Sequence, residues 1–148
     1  MTQTSESVWD YPRPPRVELL SRRIRVVLGG SVVADTTRAH CVLETGHPPV
    51  YYVPLADVVP GSLEPSRSKR TLWEWKGEAS YFDVIGGDGT RVACGAWTYH
   101  DPQPGFEQIC DAVAFYPAPM DECTVDGEIV SAEQGGFYGG WITSEIAG

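Results

Sequence analysis

Two short stretches concentrate the side chains capable of chemistry. Val42–Pro54 reads VLETGHPPVYYVP, and Leu72–Val84 reads LWEWKGEASYFDV. They supply Glu44, His47, Tyr51, Trp73, Lys76 and Tyr81. Arg38 lies just upstream, and Trp97 and Tyr99 follow in GAWTYH. Aromatic faces can enclose a flat or cationic ligand by stacking and cation–π contact. Arg and Lys can hold a carboxylate or phosphate, Arg in bidentate fashion. Taken together, Arg38, Glu44, His47, Tyr51, Trp73, Lys76, Tyr81, Trp97 and Tyr99 read as the lining of a cleft for an unknown small polar molecule. The competing reading is that the aromatics fill a core and Arg38 pairs with Glu44.

Catalysis has a weaker footing. His47 could titrate near neutrality, and with Glu44 or Lys76 it could supply acid–base groups. That makes an enzyme the alternative to a binding protein. No GxSxG elbow and no HExxH helix accompany the histidine, however. The glycines at Gly86, Gly87 and Gly89 precede a strand pattern rather than a helix start, so they do not form a phosphate loop. A third alternative is a protein-interaction module whose aromatics are core. Of the four cysteines, Cys41, Cys94, Cys110 and Cys123, none stands in a Cys-x-x-Cys pair. A structural zinc knuckle is therefore not expected. His40, His47 and His100 could form a metal site only if folding joined them to a carboxylate. The expectation is no metal and no cofactor. Cys94, within RVACGAW, reads as a core thiol.

The 148 residues fit one domain, large enough to bury a core without disulfides. A formal charge of −9 opposes nucleic-acid binding, which needs a basic face. The small clusters Arg22, Arg23, Arg25 and Arg67, Lys69, Arg70 read as solvated loop or strand-edge charge. The N-terminus lacks the apolar core of a secretory leader, and no run has the length of a membrane span. The expectation is a cytoplasmic protein with no membrane partner, its thiols reduced.

Twelve prolines and sixteen glycines cut the chain into short elements, which favours β structure. Residues 1–14 read as an extended arm, 15–131 as one domain and 132–148 as a glycine- and aromatic-rich segment. Gly29-Gly30 between β-branched runs predicts a hairpin, as does Asp126-Gly127. Val50–Val53 predicts a strand in which Tyr51 and Tyr52 point to opposite faces. Pro54–Leu63 reads as a loop with a helical turn, and Glu64–Arg70 as a further loop. A strand is expected to begin at Trp73, with a turn at Lys76-Gly77-Glu78. Ser80–Ile85 and Thr90–Trp97 predict a hairpin around Gly86–Gly89. The apolar spacing of Phe106–Phe115 predicts one short α-helix.

The order IRVVLGGSVVADTTRAHCVLETGHPPVYYVP, LWEWKGEASYFDV, GAWTYHDPQP and AFYP resembles the domain of unknown function 427 family of bacterial and fungal proteins. The resemblance covers roughly Pro15 to Val130. It implies a β-tent-like fold: mostly β, two curled antiparallel sheets packed at an angle, with the one short helix. It supplies no established activity and no catalytic residues. Relatives in this family often carry the domain twice. The single copy here implies a homodimer, with Trp9, Tyr11 and the aromatic C-terminal segment as contributors to its interface.

Overall fold

The computed structural model describes residues 6–7, 16–43, 48–73, 77–132, 140–144 and 146–147; of these, the side chains of 6, 7, 16, 67–73, 77, 146 and 147 are not described. The strands are β1 (Glu6–Ser7), β2 (Arg16–Leu20), β3 (Ile24–Leu28), β4 (Ser31–Thr36), β5 (Ala39–Leu43), β6 (Val50–Tyr52), β7 (Leu63–Trp73), β8 (Gly77–Ile85), β9 (Arg91–Thr98), β10 (Val113–Phe115), β11 (Glu122–Val125), β12 (Glu128–Ile129), β13 (Ser131–Ala132), β14 (Trp141–Ile142) and β15 (Ile146–Ala147). The protein is mostly β.

The strands do not fall into only two sheets. Among the described residues they form two four-stranded sheets, β10-β9-β8-β7 and β12-β11-β3-β4, a three-stranded sheet β2-β5-β6 and two short ribbons. Every pairing is antiparallel except β1 with β15. A bridge between Val53 and Val113 joins the three-stranded sheet to β10. Each residue donates its N–H to the other's carbonyl, at 2.7 and 2.8 Å.

Both predicted two-residue hairpins form. Gly29 and Gly30 adopt φ of +62° and +75°, while Leu28 pairs with Ser31. Asp126 and Gly127 adopt +50° and +84°, while Val125 pairs with Glu128. Positive φ at both central residues gives a turn whose twist matches that of the strands, and Gly and Asp tolerate it. The predicted turn after Pro54 is a single 3-10 turn, Leu55–Asp57.

Elsewhere the structure departs from the sequence expectations. There is no α-helix at Phe106–Phe115. A 3-10 turn covers Glu107–Ile109, Asp111 takes φ of +58°, and β10 follows. The helical spacing misled because Val113 and Phe115 face one core and Ala114 the other. With both faces buried, a strand loses its apolar–polar alternation. Glu64–Arg70 is not a loop but part of β7, with a register shift between Pro65 and Arg70. Trp73 ends that strand rather than starting one. Gly77 and Glu78 already belong to β8, paired with Trp73 and Leu72.

Two cores result. The first unites Ile24, Val26 and Leu28 of β3 with Tyr51, Val84, Ala96, Phe115 and Cys123. Arg25 and Val27 alternate out of it, as a strand requires. Trp141 is buried in the same core. Its indole N–H donates to the Phe115 carbonyl at 3.0 Å, and its ring meets Tyr51 edge-on at 5.2 Å. Trp141 therefore does not offer the free apolar surface that the sequence suggested for a dimer arm. Its ring is consumed within its own chain.

Candidate functional site

The second core has a different chemistry. It gathers Tyr52, Tyr81, Trp97 and Tyr99 with Val42, Ala79, Phe106, Ile109, Ala112 and Ala114, and Tyr116 packs against its edge. Strand register explains the gathering. Tyr81 lies opposite Trp97, which lies opposite Ala114, so all three share one face of the β8-β9-β10 sheet. Phe82, Ala96 and Phe115 share the other face and join the first core. Tyr51 and Tyr52 split in the same way, Tyr51 to the first core and Tyr52 to the second.

The four phenols and one indole are mutually engaged. Trp97 and Tyr116 stack at 4.6 Å, tilted by 45°. Tyr52 meets Trp97 edge-on at 6.3 Å and lies 6.2 Å from Tyr99, tilted by 48°. Burial pushes the Tyr99 phenol far above its ordinary range, and neighbouring Tyr52 and Tyr81 add to this. Burial, then Tyr81, pushes Tyr116 up as well. Both therefore stay protonated at neutral pH. They can offer O–H donors and are not general bases. Among the described residues, the buried polar side chains other than tyrosine and tryptophan are Thr36, Ser62, Thr98, Thr124 and Thr143, and none is charged.

A bulge opens beside the cluster. Phe82 pairs with Ala96 and Val84 with Val92, so β9 carries two more residues than β8 across this interval. Cys94 sits in the excess with φ of +52°. The Asp83 carboxylate accepts its backbone N–H at 2.9 Å. That bond, and then Arg91, hold the Asp83 carboxyl below the usual carboxylate range. The bulge carries Cys94 toward the second core, where it is half-buried with its Sγ 3.1 Å from Ser66 Oγ. Cys94 is thus not the fully buried core thiol that the apolar run suggested.

Of the residues singled out in the sequence, Tyr81, Trp97 and Tyr99 come together here. Tyr51 does not. Arg38 is exposed and bound to Asp57, its Nε and one terminal nitrogen donating at 2.9 and 3.1 Å. Arg38 and Thr36 together hold the Asp57 carboxyl below its ordinary range. Glu44, His47 and Lys76 lie outside the described residues, as does the Trp73 side chain. The chain places the first two between β5 and β6, and Lys76 between β7 and β8. Tyr52 and Tyr116 were missed as members of the site. Tyr52 was visible as one of an adjacent pair, but only register decides which of the two faces which core. Tyr116, beside Pro117, falls just past the helix expected at Phe106–Phe115 and so drew no attention.

Fold and site define an antiparallel β domain with a second, phenol-rich aromatic core. The particular family follows from comparison. The model of the domain of unknown function family DUF427 matches residues 16–126, and the chain belongs to that family. No curated protein matches the chain.

Proposed function

We propose that the protein is a non-catalytic binder of a small molecule, seated against the aromatic face of Tyr81, Trp97 and Tyr99. The observation that carries this reading is the convergence of four tyrosines and a tryptophan in one cluster separate from the main core. A purely structural core has no need of four phenols, each of which must find a partner once buried. Aromatic walls with protonated O–H donors and no buried charge suit a planar, hydrogen-bond-accepting ligand. In this reading the cleft lies between the β2-β5-β6 and β10-β9-β8-β7 sheets, in a β-tent-like arrangement. Glu44, His47 and Lys76, which the sequence offers as polar contacts, are proposed to hold the ligand's polar end.

The test is a thermal-shift screen of the full chain against a metabolite panel, with turnover followed in parallel. A saturable rise in Tm without turnover is expected. Lys76→Ala and Tyr81→Phe should each weaken that rise while leaving the ligand-free Tm nearly unchanged. A ligand whose stabilisation ignores both substitutions binds elsewhere and overturns the reading. Consumption of the ligand would replace it with the enzymatic one.

A further inference from the structure

We propose that residues 100–111 form a hinged lid over the tyrosine cluster. The proposal deepens the binding reading, on which it rests for the identity of what the lid admits. The loop's ends are pinched together. Tyr99 and Cys110 form a parallel bridge, and the Asp111 N–H donates to the Tyr99 carbonyl at 3.0 Å. His100 Nδ1 lies 2.6 Å from Asp111 Oδ1, and the Cys110 thiol donates to the His100 carbonyl at 3.3 Å. Closed ends around a short self-contained excursion define an Ω-loop, a form often used functionally.

The loop's own hydrogen bonds turn inward. Phe106 N–H donates to the Gln103 carbonyl at 3.0 Å, Ile109 N–H to Phe106 at 3.1 Å, and Cys110 N–H to Glu107 at 3.1 Å. The Gly105 N–H donates to Glu107 Oε1 at 2.7 Å. Swinging the loop outward about its pinched base breaks none of these bonds, while the Ala112 N–H, donated to the Ile109 carbonyl at 3.0 Å, belongs to the hinge. What else holds the loop down is apolar. Phe106 and Ile109 are buried in the same cluster as Tyr52, Tyr81, Trp97 and Tyr99. Asp101, Gln103, Pro104 and Gly105 remain exposed. A segment with internal hydrogen bonds, exposed shoulders and two apolar plugs can open below the energy of global unfolding.

Hydrogen exchange on the full chain tests this without any ligand. Amides of 105–110 should exchange as a group, well ahead of those of β8 and β9. Phe106→Ala removes the larger plug and should accelerate the loop amides by on the order of a hundredfold. The β8 and β9 amides should change little. Hydroxyl-radical footprinting of the same variant should raise oxidation at Tyr99 and Trp97. Exchange of the loop together with β8 and β9 would show a fixed part of the core and end the proposal. So would an open loop that leaves Tyr99 and Trp97 protected. A failed ligand screen would sink the binding reading and leave these outcomes unaffected.

Discussion

Replacing Trp141 measures how far the C-terminal segment belongs to the domain. Its side chain is fully buried, and its backbone N–H donates to the Pro49 carbonyl at 2.9 Å. Truncating a buried tryptophan costs about 3–5 kcal/mol, a large share of the total of about 5–15 kcal/mol usual for a domain. Trp141→Phe keeps an aromatic ring beside Tyr51 but removes the indole donor to Phe115. Losing that bond together with some packing should cost about 1–2 kcal/mol. Urea titration of both variants against the parent gives these differences directly. Unchanged m values would show that stability, not compactness, has altered. For a chain of this size the alanine variant should melt about 8–16 °C lower. An alanine variant within about 1 kcal/mol of the parent would refute the docking of this segment. Light scattering on the same samples reads the oligomeric state. If the chain is a dimer, the interface should survive Trp141→Phe, because that ring is spent inside its own chain.

Three further outcomes are expected. Gly86→Ala should cost about 3 kcal/mol, since an added Cβ would lie 2.6 Å from the Leu28 carbonyl oxygen. Gly127→Ala meets nothing within 4 Å and should cost only about 1–2 kcal/mol for its positive φ; equal losses in urea titrations would contradict the contrast. A thiol reagent at pH 8 should modify exposed Cys110 first, and Cys123, whose thiol burial pushes up to about 12, only on unfolding. Early labelling of Cys123, read by peptide mass, would contradict its burial. Finally, hydrogen bonds lower the pKa values of Asp35 (from Arg23), Asp57 (from Arg38) and Asp83 (from the Cys94 N–H) in the folded state. Depressed folded values mean stability that is present above the unfolded value of about 3.9 and lost as pH falls through the folded ones. The urea midpoint should hold from pH 6 to 5 and decline below about pH 4, and a midpoint that rises on acidification would reverse the sign.

The sequence by itself determined what depends on a few adjacent residues. Gly29-Gly30 and Asp126-Gly127 specify their hairpins because positive φ is a local demand that few residues meet. The separation of Tyr51 from Tyr52 follows from the two-residue period of any strand. Family membership was legible in the ETGHPPVYY and WKGEASY blocks, and the prominence of Tyr81, Trp97 and Tyr99 in their composition. Only the tertiary structure decided which tyrosine joins which core, because register there depends on pairing between distant segments such as β9 with β10. It also decided strand over helix at Val113–Phe115, where burial on both faces erases the alternation that marks a strand. Cys94 was placed by the Asp83 carboxylate accepting its N–H across a bulge, and Trp141 by donating its indole N–H to the Phe115 carbonyl. Neither contact leaves a trace in the residues on either side of it, since each partner is supplied by another strand.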